Sequence, residues 1–397
     1  MNPKPRPAAL LALVACLATM TDVSSFAGAG HLPGAALRPV AYAALEGWAE
    51  DAHAAAFAAF RRSCAAIAAD GVAGGTLKHA VAADLEAACR RAAMLGPEPG
   101  DDESRRFFEA AFVPHRVAPD TGRGFVTAYF EPEIDGALTP SAEFGVPLYA
   151  PPADLVSFDS PPEGAPAGFT AAQRTGAGLR PYPARAEIDA GLLEGRGLEI
   201  VWLRSPIDAF IVHVQGSARI RLAEGGALRL SYAAKNGQPY TSIGRVLIER
   251  GEIAREDMTL ARLTAWLEAH PREAPGLMHR NKSYIFFEVA RDLDPALGPR
   301  GAQKVQLTAG RSAAVDKGLY AYGLPVWVDA RLPIPGPAET PFRHLMIAQD
   351  TGTAIVGPAR LDLFLGSGEA AGRLAGEIRH EADVVLLLPR PGLAAER

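Results

Sequence analysis

Apolar residues recur every three or four positions through residues 39–112, in "LEGWAEDAHAAAFAAFRRSCAAIAAD" and then "HAVAADLEAACRRAAML". That is the period of helices packed on one face. The break "GPEPGDDES" at 96–104 predicts that Asp101, Asp102 and Ser104 cap a helix carrying Phe107 and Phe108. From 113 the pattern shifts to period two in "GFVTAYFEPEIDGAL", followed by loop-rich text full of proline and glycine to about 183. Residues 186–195 read as a short helix, 198–222 as two strands split at Ser205-Pro206, and "ALRLSYAAKNGQPY" as a strand ending in a turn at Asn236-Gly237. "SIGRVLIERGEI" and "DMTLARLTAWLEAHP" predict two more helices, and short strands follow at 283–289, 324–329, 344–349, 361–365 and 382–388. No repeat of 20 to 50 residues is visible. The fold class is mainly β with helices, and short strands punctuated by glycine and proline favour a barrel over a doubly wound sheet.

Length and composition add limits. A chain of 397 residues, 48% hydrophobic and 21% charged, suits two domains or one with a large insertion. Its net charge of -5 and lack of long Lys/Arg runs argue against a nucleic-acid partner. Residues 1–29 have the order of an export signal: Lys4 and Arg6, an apolar stretch at 8–20, then small residues. Two processing routes fit, lipidation at Cys16 after Leu13-Val14-Ala15 or cleavage near Ala27-Gly28-Ala29. The other two cysteines, Cys64 and Cys89, lie in helical text. A bond between them would be worth about 3 kcal/mol in an oxidising compartment, and two unpaired buried thiols fit the sequence equally. The nine histidines are scattered and no structural-zinc spacing occurs.

The chemistry concentrates in "IAQDTGTAIVGPARLDLFLG", residues 347–366, where Asp350 and Asp362 stand in strand-like apolar text. Burial there raises a carboxyl pKa and costs free energy. Three explanations fit these residues. Asp350-Thr351-Gly352 and Asp120-Thr121-Gly122 together resemble the paired motifs of an aspartic endopeptidase. Alternatively, Asp350 and Asp362 act as glycosidase carboxylates on neighbouring strand ends. In the third, both merely cap turns.

The wider text resembles the membrane-bound lytic murein transglycosylase A family. The blocks that carry the resemblance are 127–155, 181–222, 231–253, "NKSYIFFE" at 281–288, 305–329 and 345–376. The last also resembles the three-aspartate "3D" signature, here Asp316, Asp350 and Asp362. The resemblance implies a double-psi β-barrel catalytic domain from 39–125 and 241–397, with a β-rich domain of 126–240 inserted and a substrate groove between them. It implies cleavage of peptidoglycan glycan strands between N-acetylmuramic acid and N-acetylglucosamine with a 1,6-anhydro product, Asp362 acting as acid and then base, Asp350 beside it, and no metal or organic cofactor. A periplasmic protein, attached to the outer membrane if Cys16 is lipidated, follows from the same resemblance. A non-catalytic wall-glycan-binding module is the remaining alternative. Within the blocks, Gln215, Ser217, Lys235, Asn236 and Tyr129 are candidate substrate contacts along with Asp316; turn chemistry or strand packing explains the same residues. The chain departs from the family pattern at Thr353, Val356 and "YAYGL" (320–324).

Overall fold

Six strands close into a ring: β1 (Gly124–Glu131), β2 (Ser312–Ala314), β3 (Pro325–Leu332), β4 (Thr340–Asp350), β5 (Arg360–Ser367) and β6 (Arg379–Pro389). The hydrogen-bonded order around the ring is β1-β5-β2-β4-β3-β6, and β6 returns to pair with β1. The β1–β5 and β2–β4 pairs are parallel and the other four antiparallel. Closure leaves no open edge in the ring, and two further strands, Ala35–Pro39 and Phe112–Pro119, extend the sheet outward from β6. The computed structural model describes residues 32–158, 160–334 and 340–395. The export signal of 1–29 and Cys16 lie outside the described residues.

The barrel is filled by Val126, Ala313, Val326, Ala348, Leu361, Leu363 and Val384, all essentially inaccessible, in one core with the N-terminal helices. Those helices are His53–Asp70, Lys78–Met94 and Asp101–Ala111. Phe57, Phe60, Phe107, Phe108 and Phe112 meet there in mostly edge-to-face contacts. Asp101 differs from its expected role: it sits in the first turn of its own helix, and its carboxylate accepts the Ala54 amide at 2.8 Å, capping the neighbouring helix. Cys64 and Cys89 are bonded, cross-linking the first two helices over a separation of 25 residues.

The second body is a six-stranded sheet in the order Ile285–Val289, Ala227–Lys235, Ser217–Leu222, Glu133–Ala137, Glu199–Leu203, Val146–Tyr149. Its own apolar cluster includes Leu148, Val201, Leu203, Ile220 and Phe287. One sequence expectation fails here. Residues 198–222 hold two strands, but Pro206–Gln215 between them is a helix. The local signals are all present: Ser205 accepts the Ile207 amide as N-cap, Pro206 occupies the first turn, and Gly216 closes the helix at φ 79. The β-branched, apolar run obscured them.

Glu131 couples the two bodies. It ends β1, is completely buried, and accepts from Arg219 and Arg229 of the second sheet at 2.6–2.9 Å and from Ser367 of β5 at 2.6 Å. Two guanidiniums and a hydroxyl fill the hydrogen-bonding positions of this buried carboxyl, and removing them would leave a buried polar group without partners. No helix among the described residues is long and apolar enough to cross a membrane.

The loop between Cys64 and Cys89 makes the disulfide worth about 3 kcal/mol. The C64A/C89A double variant should therefore melt about 4 °C lower, given ordinary unfolding entropies for a chain of this size. Calorimetry of both proteins under oxidising conditions checks it; equal melting temperatures would contradict the assigned role.

Candidate active site

Strand alternation decides which side chains reach the barrel's outer wall. Val126, Leu361, Leu363 and Ala313 point inward, so Thr127, Asp362 and Ala314 point outward. Cross-strand partners share a face, and the registers line up a single row. Arg379 of β6 pairs with Thr127 of β1, Thr127 with Asp362 of β5, Asp362 with Ala314 of β2, and Ala314 with Asp350 of β4. The two aspartates thus flank one alanine on a strand of three residues, about 10 Å apart along the backbone at two strand spacings.

Asp350 ends β4 in a well-donated setting. Tyr129 donates its hydroxyl to Oδ2 at 2.8 Å, and the Ala302 and Thr351 amides donate to Oδ1 at 2.9 Å each. Gly301 lets the Ala302 amide come this near: a Cβ there would meet the Gln349 carbonyl at 2.7 Å and Asp350 Cβ at 3.2 Å. Behind the strand, buried Gln349 points the other way and donates to the Ala59 carbonyl and to Ser63, anchoring β4 to the first helix.

Asp362 is less well supplied. Thr127 donates to Oδ1, and Arg360 donates to Thr127 Oγ1 at 2.7 Å rather than to the carboxylate. Among the described residues neither aspartate forms an ion pair. Burial pushes the Asp362 carboxyl above its ordinary range, against the Thr127 hydroxyl and the Arg360 charge, which draw it down. Burial also raises Asp350, opposed by its three donors and reinforced by the charge of Asp362. Three donors surround Asp350 and one serves Asp362, so the two carboxyls differ in their hydrogen bonding while burial raises both. Two carboxyls with raised pKa on one wall have the chemistry to deliver a proton and, once ionised, to stabilise a cation.

The other sequence candidates scatter. Tyr129 is in the row's neighbourhood, with its hydroxyl on Asp350 and its ring against Phe364 at 5.3 Å, so it orients the carboxylate. Asp316 accepts the Gly318 and Gly357 amides and ties two loops together. Asn236 is wholly buried and fully engaged, donating to the Pro183 and Lys282 carbonyls and accepting the Gln238 and Tyr284 amides, which leaves nothing for a sugar. Ser217 is buried in the second sheet. Gln215 accepts the Phe130 amide at 3.4 Å and lines an apolar cavity. Lys235 is half-buried, its pKa lowered by burial and by the charge of Lys317 across from it. Asp120 of the other Asp-Thr-Gly is exposed in a bend, its amide on the Gly34 carbonyl. Thr353 and Val356 lie in the exposed loop between β4 and β5.

Sequence reading missed Thr127, Arg360 and the Ala302 amide. Thr127 and Arg360 were visible as polar positions on the same strand faces as Tyr129 and Asp362; the amide of Ala302 carries no sequence signal at all.

Known proteins resemble this chain over both bodies. Residues 125–288 match the MltA specific insert domain and 311–388 the 3D domain. The membrane-bound lytic murein transglycosylase A of Escherichia coli K12 is 32% identical over 300 residues, 74% of this chain and 73% of that protein. The crystal structure of a membrane-bound lytic murein transglycosylase from Agrobacterium tumefaciens superposes with a TM-score of 0.83 at 39% identity, covering 91% of this chain and all of that one. Escherichia coli MltA with bound chitohexaose superposes at 0.61 and 26% identity, covering 91% of this chain and 93% of that one.

The raised Asp362 carboxyl has a thermodynamic signature. Below the ordinary value of 3.8 it is protonated folded or unfolded. As pH rises, the unfolded chain releases its proton first, so the group's contribution to stability is lost progressively until pH passes the folded pKa. Asp362→Asn cannot ionise. It should match the wild type in melting temperature near pH 3.5 and exceed it at pH 7; thermal melts across that range check this, and an Asn variant less stable at pH 7 would contradict it.

Proposed function

The chain belongs to the MltA family of membrane-bound lytic murein transglycosylases, and on that premise we propose that Asp362 is its catalytic acid and then base, with Asp350 as the charge that steadies the cation between the two steps. The protein is a lytic murein transglycosylase acting on peptidoglycan. It binds glycan chains, as its relative does in complex with chitohexaose. Family membership retires the endopeptidase and non-catalytic readings.

The observation that carries the residue assignment is the unequal donation to two carboxyls in one outward row. Asp362 gives its proton to the oxygen linking muramoyl C1 to the next sugar. That C1–O bond breaks with its electron pair going to the leaving oxygen, and the positive charge at C1 develops where ionised Asp350 lies. Asp362, now a carboxylate, takes the proton from the muramoyl C6 hydroxyl as that oxygen closes on C1. The ring product is 1,6-anhydro-muramoyl sugar, and Asp362 is protonated again, so no water is consumed. Thr127 fixes the direction of Asp362, and Arg360 holds Thr127. Tyr129 does the same for Asp350.

The glycan runs over the barrel wall beneath the second body, with 39–125 and 241–397 forming the catalytic domain and 126–240 the inserted one. Tyr240 supports this placement: its half-buried phenol is raised chiefly by burial and also by the charge of Asp362. The export-signal pattern of residues 1–29 supports delivery to the periplasm, where lipidation at Cys16, if that is the processing route taken, tethers the enzyme to the outer membrane. The relatives are themselves named membrane-bound.

Asp362→Asn should reduce turnover of purified sacculi by about 10²–10⁴-fold, the usual share of a general acid, while still sedimenting with them. Mass spectrometry of the released sugars reads the outcome, because an anhydro product lacks one water relative to a hydrolysed one. Undiminished anhydro product from the variant would remove the assignment.

A further inference from the structure

The row of outward residues does not stop at Asp362. Two strand spacings away, about 10 Å, stands Arg379. Its guanidinium rests on the rim of a cavity of about 200 Å³, held there by one hydrogen bond to the Met258 carbonyl at 2.6 Å. Phe210, Ile243, Met258 and Leu263 form the apolar floor, and Tyr240 stands on the side nearer Asp362. The cavity therefore joins the second body, through the 206–215 helix, to the barrel, through the Gly368–Glu377 helix that carries Gly376 on its wall.

We propose that this cavity is a subsite for the peptide substituent of the muramoyl residue being cut, with a small apolar side chain on its floor and a peptide carboxylate on Arg379. The inference rests on the transglycosylase reading above and adds a preference for peptide-bearing over bare glycan. Three features select this occupant. The volume is below the about 300–1,000 Å³ of pockets that enclose whole drug-sized ligands, and an apolar floor leaves sugar hydroxyls unpaired. Arg379 is exposed and forms no ion pair among the described residues, so its remaining donors suit an anion. Peptidoglycan is a glycan whose muramoyl sugars bear peptides, and about 10 Å is covered by the sugar's linking group plus one or two extended residues at 3.3–3.6 Å each. The rim is thus within reach of the peptide on a sugar placed for cleavage at Asp362.

The test compares kcat/KM on uncross-linked sacculus glycan strands carrying their native peptides with the same strands stripped by an amidase. Arg379→Gln removes the cation, and Leu263→Trp fills the cavity from a half-buried position on its wall. Each variant should lower the ratio of peptide-bearing to bare-strand kcat/KM by roughly tenfold, the scale of a lost charged hydrogen bond or an occluded side chain. A ratio unchanged in both variants, or both substrates falling in parallel, overturns the subsite. Wild-type protein that turns over neither substrate overturns instead the transglycosylase reading on which it rests.

Discussion

Everything at the site depends on one strand of three residues. Ser312–Ala314 is too short to contribute much hydrogen bonding, yet it is paired on both sides, and Ala314 sits opposite Asp350 on one flank and Asp362 on the other. Ring closure through β6 and β1 fixes the register of β1 against β5, which sets Thr127 opposite Asp362. Because side-chain direction alternates strictly, a one-residue slip in any of these pairs would turn a carboxylate into the apolar interior. The buried Ser63, Gln303, Ser312 and Gln349 network, linked at 2.5–2.8 Å, pins the strand carrying Asp350 from behind.

The same arrangement explains how two acidic residues persist in strand text built for a core. Their neighbours face inward and fill the barrel, while the carboxyls emerge half-buried on its wall. The fold makes the two unequal by what it places around them. Asp350 has a phenol and two amides; Asp362 has a threonine hydroxyl, itself engaged by Arg360. That inequality is the basis of the roles proposed for them, a proton donor and a stabilising charge. Glu131 shows the contrasting solution, a carboxyl paired directly with two arginines, which serves the joint between the bodies.

Much of the fold was legible because its signals are periodic. The N-terminal helices, the 124–131 strand and four later barrel strands followed from three-to-four and two-residue spacing, and the family blocks supplied the barrel and insertion. Residues 206–215 were misread because Ile207, Phe210, Ile211, Val212 and Val214 favour strands, whereas Ser205, Pro206 and Gly216 fixed the ends of a helix. The three-residue Ser312–Ala314 strand is below the length at which periodicity exists. At the site, Asp350 and Asp362 stood out as charges in apolar text. Asn236 and Ser217 drew notice through polarity and turned out to satisfy the protein's own backbone or core, a distinction only three-dimensional pairing reveals. The Arg379 row depended on registers between strands more than 200 residues apart in sequence, which no local pattern encodes.

The central claim is the protonation order of two carboxyls on one wall. Carbon NMR titration of the protein with ¹³C-labelled aspartate carboxyls, assigned by removing each in turn, measures that order directly. Asp362 should titrate above the ordinary 3.8, and the proposed roles require Asp350 to ionise at lower pH than Asp362. An Asp362 carboxyl that titrates at or below 3.8, or after which Asp350 still holds its proton, would contradict the account.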